Sequence, residues 1–255
     1  MKTFRASYRI AILIVFTLIS FSVYFIGYLI LRLLRMATER WRNLFMRTWS
    51  KGMCLFLNIR VNRIGSAPDA PFFLVSNHLS YIDIIPLFLN LRCTFVAKKE
   101  VRSWPVLGFM VNAVGVIFVD RSRKRDVKRV NSLISQSLNK HQGMIVFPEG
   151  TTSGGDRILP FRPPLLEYPA TTGTPVHYAS IRYETDEERG DMPAEQSVCF
   201  YGAREPFHNH VFKLAKNRKT ICTIRFGEDS VTDPDRKQLA EKLREKVIEI
   251  HQPMS

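Results

Sequence analysis

Two hydrophobic periods organise this chain. Short apolar runs rich in β-branched and aromatic residues recur at 72–75, 94–97, 116–119, 144–147, 176–181 and 220–226. Runs of this length, bounded by polar and turn-forming residues, predict buried strands. Between and after them, 125–140 and 234–250 carry apolar residues at helical spacing. The last stretch predicts Asp233 as N-cap, Pro234 as first helical residue, and Leu239, Leu243, Val247 and Ile250 on one stripe. Strands alternating with helices predict an α/β domain, a mixed sheet covered by helices. Ligand sites then fall on the loops that follow strands. The acidic stretch 184–191 lacks an apolar period and reads as a surface loop.

The N-terminus follows a third pattern. Residues 10–31 are 22 residues without a charge; as a helix they span about 33 Å, enough for a bilayer core. Lys2, Arg5 and Arg9 precede the run, and Arg32, Arg35, Arg40, Arg42, Arg47 and Lys51 follow it. The heavier positive side predicts a C-terminal domain on the cytoplasmic face, at the inner membrane in a bacterium. The run is too long for a signal-peptide core and no A-x-A-like site ends it. A re-entrant hairpin that does not fully cross is the other reading, because Gly27 interrupts the run. In 40–56, Trp41, Leu44, Phe45, Trp49, Met53 and Phe56 share one helical face; Asn43, Arg47, Ser50 and Lys51 share the other. That pattern suits an interfacial helix or one packed on the domain's core. The expected organisation is a membrane anchor at 1–34, an amphipathic helix at 35–58 and a folded domain at 59–255.

Charge narrows the partners. A net charge of +14 and a pI near 9.9 call for acidic ones: nucleic acid, anionic headgroups or phosphorylated thioesters. No recognition helix, RNP motif or zinc-finger spacing supports nucleic acid. Cys54, Cys93, Cys199 and Cys222 form no C-x-x-C pair, so buried free thiols are expected, with no metal site and no disulfide framework. His208 and His210 lack a nearby third ligand and read as a structural or solvent-exposed pair.

The stretch Asn77-His78-Leu79-Ser80-Tyr81-Ile82-Asp83 carries the chemistry. Histidine accepts a proton near neutrality. An aspartate on its second ring nitrogen would fix the tautomer and stabilise the imidazolium. No G-x-S-x-G nucleophile accompanies the pair, so His78 is expected to activate a hydroxyl of the substrate. A purely structural reading is helix capping by Ser76 or Asn77, with Asp83 solvated.

Three more blocks follow: Gly115-Val116-Ile117-Phe118-Val119-Asp120-Arg121, Phe147-Pro148-Glu149-Gly150-Thr151-Thr152 and Thr174-Pro175-Val176. In this order the four blocks closely resemble the glycerolipid acyltransferase family, which includes the 1-acyl-glycerol-3-phosphate acyltransferases. The resemblance runs from about residue 72 to 181. It implies that His78 is the general base, oriented by Asp83. It also implies that Arg121, Glu149, Gly150 and Thr151 bind the phosphate-bearing acceptor and that Pro175 belongs to the acyl-donor site. One departure stands out. Where relatives carry small residues at a helix start, this chain has Phe161-Arg162-Pro163-Pro164-Leu165. The prolines remove two backbone donors but fit a first helical turn.

The implied function is membrane-bound transfer of a fatty acyl group from acyl-CoA or acyl-carrier protein to the sn-2 hydroxyl of 1-acyl-glycerol-3-phosphate. No cofactor beyond the donor is expected. A lyso-ornithine lipid acceptor and a non-catalytic lipid-binding protein are the alternatives; the intact His78/Asp83 pair argues against the second. Arg121 offers a planar fork to phosphate oxygens. Glu149, which as a carboxylate would repel phosphate, is expected to meet an acceptor hydroxyl or to order Arg121. Lys98, Lys99 and the run 121–129 suit either the donor's phosphates or a solvated face. Trp104, Leu107, Phe109 and Met110 suit either an acyl tunnel or core.

Overall fold

The computed structural model describes residues 1–103, 107–120, 126–201 and 205–254. The sheet is built from β1 (Ile59–Ile64), β2 (Phe73–Ser76), β3 (Cys93–Lys98), β4 (Ile117–Val119), β5 (Gly143–Val146), β6 (Val176–Thr185) and β7 (Thr220–Phe226). Their spatial order is β1-β7-β6-β2-β5-β3-β4. Neighbours run parallel except β6 and β7, which are antiparallel. All six predicted runs are strands in this mixed sheet. β1 escaped prediction: its sequence holds two arginines and an asparagine, and only Ile59 is buried. It is an edge strand that pairs with β7 from Ile59↔Thr220 to Ile64↔Arg225.

Helices cover both faces. Strand residues alternate between two cores, as a pleated backbone requires. Leu74, Ile145, Ala179, Ile181 and Ile224 face α1 (Lys2–Leu33), α2 (Glu39–Leu57), α3 (Ile84–Asn90) and α8 (Phe207–Lys216). Phe73, Val75, Met144, Val146 and Val176 face α5 (Asp126–Ser137), α6 (Glu167–Thr172) and α9 (Arg236–Ile250). Burial on both faces is why the central strands read as continuous apolar runs. Two short helices, α4 (Leu107–Ala113) and α7 (Ala194–Ser197), complete the set.

Three sequence expectations need correction. The N-cap of α9 is Asp235, whose side chain accepts from the backbone N–H of Lys237 and Gln238. Asp233 instead accepts from the Asp235 N–H and pairs with Lys242. Second, β6 continues through Glu184 and Thr185 before the predicted surface loop begins. Third, the inner stripe of α2 is Arg42, Phe45, Met46, Ser50, Cys54 and Leu57. Ser50 is therefore buried rather than on the polar face, and Leu44 is 59% exposed.

α1 and α2 form an antiparallel hairpin. Phe21 meets the rings of Phe45 and Trp49, and Phe16 meets Phe56. Gly27 does not interrupt α1; it lets Trp41 approach, because a Cβ there would strike the indole. The indole N–H donates to Tyr24 O at 3.0 Å. α1 also lies against the domain along its length. Arg5 and Arg9 donate to carbonyls of the last residues of α8, Ala215 and Lys216, and of Arg218 just beyond it, and the Tyr24 hydroxyl donates to Ala113 O at the end of α4. Its outward side, including Val15, Leu18, Ile19, Val23, Ile26 and Leu29, is apolar and more than half exposed.

Candidate active site

The topology prepares a crevice. β2 and β5 are neighbours. The chain leaves β2 for α3 on one face and leaves β5 for α6 on the other. Diverging connections open a gap beyond the carboxyl ends of the two strands, where α/β sheets hold ligands. His78 follows β2 and Glu149 follows β5, so both loops meet there.

The aspartate is fully buried. Its Oδ2 accepts from His78 Nδ1 at 2.8 Å, Leu79 N at 2.7 Å and Ser80 N at 3.0 Å. Its Oδ1 accepts from the Tyr183 hydroxyl at 2.9 Å. Asp83 is thus not a solvated residue. It satisfies the first turn after Ser80, as a capping residue does, and tethers the imidazole with the same oxygen. With Nδ1 engaged, Nε2 is the nitrogen left for substrate; it has no partner among the described residues. Phe147 stacks on the ring at 4.1 Å and 11°, with Phe95 behind it at 5.8 Å. One edge and one face of the imidazole are therefore fixed, and its side chain is 22% exposed.

The first and third sequence blocks are joined through the His78 backbone. Ser153 N donates to His78 O at 2.9 Å, and Glu149 Oε1 accepts from His78 N at 3.4 Å. The Gly150 N–H donates to Phe147 O, closing a turn through Pro148 and Glu149, and Gly150 itself takes φ +71°, the left-handed region that favours glycine, as the chain leaves that turn. Thr151 is half-buried beside it. Glu149 is 2% exposed, and its Oε2 has no partner among the described residues. Burial pushes its carboxyl up to about 8, against the backbone N–H groups of His78 and Leu159. A neutral acid there removes the repulsion expected between a carboxylate and phosphate, and it can donate a hydrogen bond.

The loop beyond is held from two sides. Arg162 donates from its backbone to Pro148 O at 2.8 Å and from Nε to Glu149 O at 3.2 Å. Arg244 of α9 donates to Ile158 O and Leu159 O. Pro163 and Pro164 occupy the first turn of a 3₁₀ helix that begins after Arg162, where their missing N–H groups leave no gap.

Arg121 and Trp104 lie outside the described residues. Among the described ones, some predicted residues are not gathered here. β4, which precedes Arg121, is the far edge strand, separated from β2 by β5 and β3. Pro175 stands before the first residue of β6, level with the start of β2 and so at the opposite end of the sheet from His78. Lys99 pairs with Asp120 at 2.9 Å. Phe109 is 62% exposed and meets Phe25 of α1, while Met110 packs on the core and Leu107 opens α4. His210 is buried between the Tyr81 hydroxyl and Cys199 O; His208 is exposed. All four cysteines are buried and free. Among the described residues no group of His, Cys, Asp and Glu could hold a metal.

Sequence reasoning missed several contributors. Asn77 is buried and clamps β6, accepting from Ile181 N at 2.7 Å and donating to Ile181 O at 2.9 Å. Phe147 sits in an apolar run, where an aromatic ring reads as core, and Tyr183 lies beyond the run 176–181, between Arg182 and Glu184. Only the polar residue at the end of a strand, Asn77, gave a signal.

A family model described as Acyltransferase matches residues 58–182. The chain is 29% identical over 210 residues to the 1-acyl-sn-glycerol-3-phosphate acyltransferase of Neisseria gonorrhoeae, covering 81% of this chain and 80% of that one. It is 32% identical over 145 residues to the lyso-ornithine lipid O-acyltransferase of Pseudomonas aeruginosa, covering 57% and 56%. The crystal structure of the 1-acyl-sn-glycerophosphate acyltransferase from Thermotoga maritima matches with a TM-score of 0.62 and 21% identity over 96% of this chain and 97% of that one. That likeness speaks to the fold, and the sequence matches speak to the family. With the His78/Asp83 pair in the crevice between β2 and β5, the chain belongs to the glycerolipid acyltransferase family and is an acyltransferase.

Proposed function

We propose that the chain transfers a fatty acyl group from acyl-CoA or acyl-carrier protein to the sn-2 hydroxyl of 1-acyl-glycerol-3-phosphate, giving phosphatidic acid. The observation that carries this reading is the His78 ring, held on Nδ1 by a buried carboxylate with Nε2 left for substrate. Nε2 takes the proton of the acceptor hydroxyl as its oxygen attacks the thioester carbon. Collapse of the tetrahedral intermediate expels the thiolate, which takes the proton back from the imidazolium. Asp83 stabilises that cation between the two steps. The substrate supplies the nucleophile, so no acyl-enzyme and no cofactor beyond the donor enter the cycle. Arg121 and the Glu149-Gly150-Thr151 turn are assigned to the acceptor's phosphate end, with Glu149 as a neutral donor. Pro175 is kept on the donor side by resemblance alone.

The apolar outward side of α1 supports membrane association, since water-facing apolar surface of this extent marks a lipid or partner contact. The contacts of α1 with the domain at both Arg9 and Tyr24 favour a hairpin seated in the membrane over a helix that crosses alone. The positive residues after the apolar run assign the domain to the cytoplasmic face.

A lyso-ornithine acceptor is the second reading, favoured by the 32% match to an enzyme named for it. It lacks the phosphate but presents a hydroxyl to the same base. The test is kcat/KM for lysophosphatidic acid against lyso-ornithine lipid, in one detergent, for wild type and His78→Ala. Expected are a preference for the phosphate-bearing acceptor and a loss of several orders of magnitude in the variant. Preference for the phosphate-free acceptor overturns the substrate assignment; near-normal turnover by folded His78→Ala overturns the mechanism.

A further inference from the structure

We propose that Tyr183 is a positioning residue for the base, its hydroxyl holding Asp83 in the carboxylate form and orientation that His78 needs. The inference rests on the assignment of His78 as base. Tyr183 lies on β6, 1% exposed, a hundred residues from the Asn77–Asp83 loop in sequence. A buried tyrosine hydroxyl must find a partner, and a phenylalanine would fill an apolar site without that demand. The partner here is Asp83 Oδ1 at 2.9 Å. Without the hydroxyl, that oxygen would be a buried carboxylate atom with no donor, since Oδ2 takes the other three.

The arrangement extends in both directions. Cys222 is the register partner of Tyr183 on β7, and its thiol is against the same hydroxyl. A thiol is a weak donor and leaves the phenolic proton for Asp83. Burial and the nearby Asp83 charge raise the Tyr183 ionisation well above its usual range, so it remains a donor at working pH. Two residues earlier on the same strand, Ile181 holds Asn77 through both its N–H and its C=O. β6 thus grips the loop at Asn77, just before His78, and again at Asp83, its far end. A long strand built for pairing with β7 doubles as the wall that sets the dyad.

A donated hydrogen bond disperses the charge on Asp83 and lowers the proton affinity of the Asp83–His78 pair. Losing it leaves the pair protonated to higher pH. The titratable groups facing Asp83 are His78, Glu149 and Cys199, and Cys222 faces Tyr183. Burial pushes the thiols upward and the Glu149 carboxyl up to about 8. The acid limb of the rate profile therefore reports the dyad.

The experiment uses full-length protein in detergent, with lysophosphatidic acid and an acyl-CoA. Wild type, Tyr183→Phe and protein carrying 3-fluorotyrosine at 183 are compared from pH 5 to 9, with His78→Ala as control. For Tyr183→Phe, kcat falls about tenfold, KM for both substrates stays within about twofold, and the acid limb moves up by roughly half a pH unit. The fluorinated ring has the same shape and a stronger donor, so its limb moves down. Should Tyr183→Phe not fold, the fluorinated protein decides alone. Acid limbs that superpose on wild type, or a loss confined to KM, overturn the role of Tyr183. Activity retained by His78→Ala overturns the underlying assignment of the base instead.

Discussion

Replacing Asp83 by asparagine isolates the charge at the centre of the site. The side chain keeps its shape, and its one remaining oxygen can still accept from Leu79 N, Ser80 N and His78 Nδ1, which now converge on Oδ2. The amide nitrogen then faces the Tyr183 hydroxyl, which can turn to accept from it. What vanishes is the negative charge beside the imidazolium. At about 4 Å and an effective dielectric of about 20, that attraction is worth roughly 4 kcal/mol. With about 1.4 kcal/mol for each factor of ten, kcat should fall on the order of 10³-fold. The KM values should hardly change, because the carboxylate touches neither substrate. Stability should fall modestly: charge-assisted hydrogen bonds become neutral ones at roughly 1 kcal/mol each, which lowers Tm by a few degrees in a chain of this size. The assay is steady-state acyl transfer at saturating donor and acceptor, paired with a thermal melt of the same preparation. A folded Asp83→Asn protein within tenfold of wild-type kcat would refute the claim that this carboxylate stabilises the charged base.

Two further outcomes test the surroundings. Burial pushes the Glu149 carboxyl up to about 8, from an ordinary value of 4.5. Its contribution is therefore complete below about 4.5 and is lost as pH rises through 8. Glu149→Gln, which mimics the neutral acid, should gain Tm relative to wild type as buffers are stepped from pH 5 to 9; a constant difference would show that the group is ionised throughout. On α1, Leu18 and Val23 face outward at 60% and 53% exposure. Leu18→Lys with Val23→Lys should leave the melt unchanged yet shift the protein from the carbonate-washed membrane pellet to the supernatant, and full retention would place the anchor elsewhere.

Local chemistry alone determined much of this protein. Six of the strands were written in the runs from 72–75 to 220–226, because a strand buried on both faces must be apolar throughout. The His78–Asp83 spacing was legible because its five-residue separation closes within one turn of chain. The apolar run at 10–31 announced its helix for the same reason: the signal is local and continuous. What the sequence withheld depends on partners distant along the chain. β1, with its arginines, becomes a strand only because β7 offers a parallel edge. The inner stripe of α2, Ser50 included, was set by where α1 and α3 lie and not by its own hydrophobic count. Asp235 displaced Asp233 as cap because Asp233 turns to Asp235 N and Lys242. At the site, only the fold could show that Phe147 stacks on the base, that Asn77 is clamped to Ile181, and that burial pushes the Glu149 carboxyl upward. Tyr183 is the clearest case. In sequence it is one aromatic between Arg182 and Glu184, beyond the apolar run 176–181, and it meets Asp83 because the sheet order places β6 beside β2.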